Sequence, residues 1–553
     1  DFADAHLSLG NIFKNLGKSN SAFDAYIKVI QLQGDNPLVY ALITEFLKNA
    51  SLFELDRTKL RNILHILLDR NDIAHKDLFN SFNYCYKNEI LSHLILLSKD
   101  LLTNNLLKKI INERTIIQAM KKIIFMDYEF EKVFTNIRSN ILDLINNRKI
   151  YDTYYNLDFI TALAEQCFLN EFVYSITNEE IIAINKLINK YKDTTIDEYS
   201  ISILACYLPL FSLLDKIPSL KEFNSSNHAL MELLNLQIKE PMEEIELSKN
   251  IRKIGSIKDN ISKLVKSQYE ENPYPRWRYA FPYQETDISI VEHINSEIKP
   301  NRLGNIELAE STKILVAGCG TGNQILHTQK YNNCSITCID LSLTSLSYAQ
   351  RKINELGISN VELIQMDILD VHLLNTQFDL ILCGGVLHHM KKPLDGLKAL
   401  LDILKINGFM KLGLYSQLAR RDIVKIKEYI SSFNLQPNIE GIRKLREDIM
   451  ADKIENLGAL KQYGSFYSTS EFRDLCFHVQ EHRFTIEQLM QTFISNELQF
   501  LGFLLPQRTK TLYNKHFPKD QKLTNLNNWA IFEEKYPDTF RSMYQFWICK
   551  NKI

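Results

Sequence analysis

The chain has 553 residues, 45% hydrophobic and 24% charged, with 65 basic against 66 acidic side chains. That length exceeds one core and predicts about three or four domains, while the near-neutral balance argues against a dedicated nucleic-acid binder. No apolar run approaches a membrane span, so no membrane insertion is expected. The nine cysteines are scattered, with no C-x-x-C pair, which predicts reduced thiols in a cytoplasmic protein. The visible start reads as a polar–apolar helix and not as a signal peptide. Frequent Ile, Asn and Lys hint at an AT-rich bacterial genome.

Residues 1–50 open with a segment that resembles one tetratricopeptide repeat. Leu9-Gly10, Phe13, Ala22, Tyr26 and Val29 fall near that repeat's small and large packing positions, and Gly34–Pro37 follows as a turn. A lone repeat cannot bury its own face, so it needs an upstream repeat, the next helices or a second subunit. Residues 51–254 stay helical in pattern, with apolar positions three and four apart over 91–113 and 176–193. This region is expected to serve packing, recognition and a homodimer contact.

Residues 255–303 read as a linker and lid. Ser267–Trp277, SQYEENPYPRW, is dense in aromatics, and Pro273 and Pro275 forbid a helix through it. Tyr269, Tyr274, Arg276 and Trp277 are costly to leave on a loop. Either they strap onto the core or they clamp a ligand.

Residues 304–418 carry the most informative pattern. Ile314–Val316 is a buried strand, Gly318, Gly320 and Gly322 a tight turn, and Ser335–Ile339 a second strand ending on Asp340. A glycine turn between strand and helix lets a ligand approach the backbone, and an acid about 20 residues on can accept both hydroxyls of a ribose. The third glycine of a dinucleotide fingerprint would fall at Asn323, so the spacing is G-x-G-x-G instead. Val361–Asp367 is a further strand ending in an acid, Phe378–His389 a fourth with its exit loop, and Gly408 marks the turn before a fifth.

These segments, in this order, resemble class I S-adenosylmethionine-dependent methyltransferases. The resemblance implies an α/β Rossmann-like core with a mostly parallel seven-stranded sheet, a large all-α N-terminal region and a mostly helical C-terminal domain at 419–553. It implies S-adenosylmethionine as cofactor, leaving as S-adenosylhomocysteine. Gly318, Gly320, Gly322 and Asn323 would cradle it, Asp340 and Leu341 would hold the ribose, and Asp367 and Ile368 would meet the adenine. Cys383 and Gly384 lie at the expected strand end. The family usually has an acid two residues before the first glycine, where this chain has Val316. The methionine carboxylate then needs another holder; Arg276 suits it, because a guanidinium fork matches a carboxylate bidentately, and Tyr269 is the other candidate.

In the C-terminal region, His478-Val-Gln-Glu481-His482 matches H-x-x-E-H, and two histidines four apart on a helix could share a metal. With no third ligand evident nearby, no metal is expected. His478, Gln480 and His482 read as polar groups closing a substrate mouth or as satisfied core histidines. Arg420, Arg421, Lys425 and Lys427 read as a solvated basic helix face.

QYEENPYPRW, ILVAGCGTGNQ, GVLHHM, LGLYSQLARRD and FHVQEHRFT, together with the repeat-like start, resemble the rickettsial protein-lysine methyltransferases over most of the chain except 40–250. That group modifies lysines of outer membrane protein B, a surface autotransporter. The implied partner is an unfolded outer membrane protein met in the cytoplasm before export. The implied pocket has the rings of Tyr269, Tyr274, Trp277 and Tyr415 about the lysine, with His388 or His389 relaying a proton. The core alone also permits a small-molecule acceptor such as a quinone precursor. A cofactor-regulated adaptor without turnover is the alternative from another class.

Overall fold

A computed structural model of the protein describes residues 2–34, 36–94, 110–150, 155–281, 288–304, 306, 308–309 and 311–550. The chain forms two compact units: Asp1–Met242 with Trp277–Pro282 and Leu435–Phe472, and Glu243–Arg276 with Tyr283–Asn434 and Arg473–Ile553.

The first unit is helical. Helices α1 (Phe2–Asn15) and α2 (Ser19–Leu32) meet where Gly10 faces Tyr26, so closely that a Cβ on Gly10 would lie 2.7 Å from the ring. Of the positions the repeat-like pattern names, Ala22, Tyr26 and Val29 are buried there, whereas Leu9 is 43% exposed and Phe13 half-buried. The helical pattern over 91–113 falls mostly outside the described residues. That over 176–193 forms a helix, Asn178–Lys190, opened by a Thr177–Glu180 capping box.

Buried ion pairs join the separate stretches of this unit. Arg446, on the helix Ile439–Met450, donates to both carboxylate oxygens of Glu131 at 3.1 and 2.6 Å, and to the Phe466 carbonyl at 2.7 Å. Glu131 lies on helix α3 (Tyr128–Asn146). Arg278 pairs with Glu165, a fully buried carboxylate on helix α4 (Leu157–Leu169) that also lies 3.4 Å from Lys121. Residues 419–553 therefore differ from the expected single C-terminal domain: a guanidinium this deeply buried needs its carboxylate, and that carboxylate is far back in the chain.

The second unit is built on one sheet. Its strands are β1 (Arg252–Lys253), β2 (Thr312–Ala317), β3 (Cys334–Asp340), β4 (Val361–Gln365), β5 (Phe378–Gly384), β6 (Leu404–Leu414), β7 (Leu498–Phe503) and β8 (Tyr544–Lys550). The order is β1-β4-β3-β2-β5-β6-β8-β7. Pairings from β1 through β6 are parallel, and those of β8 with β6 and β7 are antiparallel. The sheet thus has eight strands, counting the two-residue β1, and draws its last two from beyond residue 418. Ile314 and Val316 enter one apolar layer and Leu315 and Ala317 the other, which is why β2 reads as an unbroken apolar run. Gly408 lies inside β6: the stretch 405–408 bulges opposite a single residue of β5, with Asn407 at φ 63°.

The lid region also contains more helix than its prolines suggest. Helix α5 (Asn260–Glu271) starts at Asp259, which accepts from the Ile261 and Ser262 amides, and it ends just before Pro273. Tyr269 therefore stands on a helix.

Replacing Glu131 by Ala would leave Arg446 buried beside an empty position. The expected loss is about 3–5 kcal/mol of unfolding free energy, read as a lower urea midpoint. A loss under about 1 kcal/mol would assign the closure of this unit to packing alone.

Candidate active site

The strand order reverses between β2 and β5, and such a switch point opens a crevice at the carboxyl ends of the strands. β2 runs into Gly318 and Gly320, whose φ values of 76° and 52° suit glycine. A Cβ on Gly318 would lie 2.3 Å from Val386, and one on Gly320 would lie 2.6 Å from the Tyr274 carbonyl. Gly322 precedes the short helix α6 (Asn323–Thr328) that the loop leads into, with Asn323 as its first residue.

Asp340, at the end of β3, organises the loop. Its Oδ2 accepts from the Gly320 amide at 2.8 Å and its Oδ1 from the Ser342 amide at 2.9 Å. Burial raises its carboxyl above the usual range, and these two amide bonds oppose the rise. Leu341 lies between, half-buried, with its carbonyl accepting from Gln365 Nε2 at 2.9 Å. Ser342 caps helix α7 (Leu343–Glu355) and donates its hydroxyl to the Tyr269 carbonyl at 3.1 Å. Glu270 covers the same helix start, accepting from the Leu343 and Thr344 amides at 2.8 and 3.1 Å. An anion there matches the helix dipole. After α5, the Thr321 hydroxyl donates to the Pro275 carbonyl, so residues 274–275 lie along the glycine loop.

Asp367 follows β4, is buried, and accepts from the Leu369 amide at 3.0 Å, with Ile368 buried beside it. Cys383 ends β5 with Gly384; burial pushes its thiol up to about 12. The Gly384 carbonyl lies 3.4 Å from Gln324 Nε2 on α6. Val316 is core. The Arg276 side chain is exposed, and Trp277 belongs to the first unit.

Tyr269, Tyr274, His388 and Tyr415 all belong to the second unit, and the ends of β5 and β6 bring histidines and rings together. The rings of Tyr269 and Tyr274 stack at 6.4 Å. His388, fully buried, stacks on Tyr415 at 3.8 Å, and the Arg420 guanidinium lies 4.0 Å from the same tyrosine ring. His389 stacks on His478 at 3.5 Å. The Tyr269 hydroxyl donates to Asp474 at 2.7 Å and lies 3.3 Å from His478 Nε2. Burial, then the Asp474 charge, raises the Tyr269 phenol well above its ordinary value. Burial pushes His389 and His478 down to about 3, and His388 falls well below its ordinary value for the same reason. All three imidazoles are therefore neutral at pH 7.

The H-x-x-E-H reading fails on geometry. Helix α8 (Thr469–Phe477) ends before His478, and no helix runs through 478–482, so the two histidines share no helix face. His482 Nε2 instead lies 3.2 Å from the Lys391 carbonyl. Glu481 and Arg420 form a buried ion pair, so Arg420 is not part of a solvated basic face. Burial alone would raise the Glu481 carboxyl, but hydrogen bonding and charge from Arg420 carry it below its ordinary value. Sequence reasoning missed Asp474 and Glu270. Glu270 lies within the aromatic segment, but no spacing rule marks Asp474.

Residues 314–408 match the family model of a methyltransferase domain. The cofactor of that domain is S-adenosylmethionine, and the crevice fits it: after the two amide bonds, each Asp340 oxygen keeps a lone pair for a ribose hydroxyl. An uncharacterised protein of Synechococcus sp. is 26% identical over 45% of this chain and 61% of its own length. The probable (S)-tetrahydroprotoberberine N-methyltransferase 2 of Papaver bracteatum is 30% identical over 20% of this chain and 30% of its own. PKMT2 from Rickettsia typhi aligns in structure with a TM-score of 0.39 at 21% identity, covering 49% of this chain and 55% of that one. The chain thus spans less than two thirds of each of these proteins.

Gly320→Ala would place a methyl group against the Tyr274 carbonyl at an unfavourable φ. Calorimetry is expected to show S-adenosylmethionine binding at least about 10-fold weaker, and unchanged binding would refute the close approach. The neutral histidines set an acid dependence. Their pKa values in the folded protein lie below the ordinary 6.5, so their contribution is complete above that pH and is lost as pH falls toward 3. Each costs about 1.4 kcal/mol per pH unit in that window. The urea midpoint should fall between pH 7 and 5.5, less steeply in His478→Gln; a flat midpoint in the parent protein would contradict neutral burial.

Proposed function

We propose that this protein is an S-adenosylmethionine-dependent protein-lysine N-methyltransferase whose substrate is an outer membrane surface protein of the autotransporter class. The observation that carries the reading is the apposition, in one unit, of the Asp340-held glycine loop and a cluster of half-buried and buried tyrosines with buried, neutral histidines. The acceptor class is supported by the motif resemblance and by the helical first unit, which a small acceptor does not require.

When bound, S-adenosylmethionine supplies an electrophilic methyl group on a cationic sulfonium. Gly318, Gly320, Asp340 and Asp367 would hold it, and the protein's further task is to present a neutral amine. At pH 7 the neutral form of a lysine costs about 4.6 kcal/mol from a pKa near 10.4. Desolvation among buried rings lowers that cost by disfavouring the ammonium. The faces of Tyr269, Tyr274 and Tyr415 suit both the apolar lysine stem and a methylammonium product. Positioning supplies most of the acceleration.

The enzyme would meet its substrate unfolded in the cytoplasm, and the N-terminal helices would carry a homodimer contact. No helix among the described residues is long and apolar enough to cross a membrane. A small-molecule acceptor is the second reading, favoured by the poppy relative that acts at nitrogen.

Incubation with S-adenosylmethionine and a denatured autotransporter fragment should add methyl groups to lysines, mapped by mass spectrometry. Retained cofactor binding without any lysine modification would transfer the assignment to a small acceptor.

A further inference from the structure

His389, Asp474 and His478 bring their ligand-type atoms within 4.8 Å of one another, all three buried. Such a trio invites a metal, but the hydrogen bonds assign it differently. The Gln480 carbonyl lies 2.7 Å from His389 Nδ1, and a carbonyl only accepts, so His389 carries its proton on Nδ1. The Gln480 amide donates to His478 Nδ1 at 3.2 Å, so His478 carries its proton on Nε2. That Nε2–H faces the Tyr269 oxygen at 3.3 Å, and the Tyr269 hydroxyl donates its own hydrogen bond to Asp474 at 2.7 Å. One peptide residue thus sets two imidazoles in opposite tautomers. Both His478 nitrogens are committed, and a cation would have to break both bonds. One lone pair of the trio is left over: His389 Nε2 makes no hydrogen bond among the described residues, and a carboxylate oxygen of Asp474 lies within 4.8 Å of a His389 ring nitrogen.

We infer that His389 Nε2 is the acceptor that takes an N–H of the incoming amine and aims its lone pair at the methyl group, with Asp474 facing the charge that develops on nitrogen. This rests on the reading that the acceptor is an amine. The bond is stronger to an ammonium-like nitrogen than to a neutral amine, so it favours the transition state over the ground state. No proton needs to leave during the step, because the product holds it as a methylammonium. A weakly basic imidazole is therefore suitable: it stays neutral and cannot trap the proton. Gln480 acts through its main chain as a positioning residue, and Tyr269 with His478 completes the circuit that holds Asp474.

The test uses the full chain with selectively ¹⁵N-labelled histidine and saturating S-adenosylhomocysteine. Long-range ¹H–¹⁵N spectra, assigned by loss of signal in His389→Phe, should show His389 as the Nδ1–H tautomer with an unprotonated Nε2. Titration with n-butylamine at pH 10 should shift that Nε2 signal upfield. In turnover with a lysine-bearing substrate, His389→Phe should lower kcat about 10- to 100-fold, with KM and S-adenosylhomocysteine affinity within about twofold. An Nε2–H tautomer, no response to butylamine, or an unchanged kcat would overturn the assignment. The same would follow from displacement of the His389 and His478 signals by Zn²⁺ at micromolar concentration. The amine titration needs no turnover, so a wild-type protein that methylates no lysine but still shows the Nε2 shift would sink the substrate assignment and leave the amine subsite standing.

Discussion

A half-buried carboxylate, Asp340, is the constraint on which the crevice depends. Removing it from water disfavours its charge, and two backbone amides, from Gly320 and Ser342, offset that cost. In return those amides are fixed in place, one in the glycine loop and one at the start of α7. Ser342 then holds the Tyr269 carbonyl, and Glu270 closes the rest of the helix start. Helix α5 is thereby oriented so that the Tyr269 hydroxyl reaches Asp474 and His478. A single acid thus couples the ligand loop to a histidine cluster drawn from distant parts of the sequence.

The electrostatics of that cluster follow from dryness rather than from charge pairing. His388, His389 and His478 stack on one another or on Tyr415, and burial keeps all three neutral. The full charges nearby are organised separately. Arg420 and Glu481 neutralise each other, and Asp474 accepts from Tyr269. Dryness of this kind disfavours a positive charge within the cluster, and the Asp474 carboxylate opposes that effect at His389.

The two units achieve closure by different physical means. In the first, Arg446 with Glu131 and Arg278 with Glu165 join stretches separated by more than a hundred positions, and each guanidinium is sheltered from water. In the second, apolar alternation on both faces of the sheet does the same work, and β7 and β8 close the edge beside β6.

The amino-acid order by itself determined what depends on near neighbours. The β2 run, the Gly318–Gly322 turn and the acid at Asp340 are legible because strand, turn and helix signals act over a few residues. Helix α5 was hidden by Pro273 and Pro275, which bar a helix only from their own positions onward. The bulge at 405–408 looked like a turn because Gly408 serves either. The placement of Asp474, the non-helical course of 478–482 and the union of 435–472 with the first unit were decided only by tertiary structure. Each depends on a hydrogen bond or ion pair whose partner lies far away in the chain: Tyr269 for Asp474, His388 for the His482 amide, and Glu131 for Arg446. No local periodicity records such a partner, because the free energy that selects it appears only when both groups leave water together.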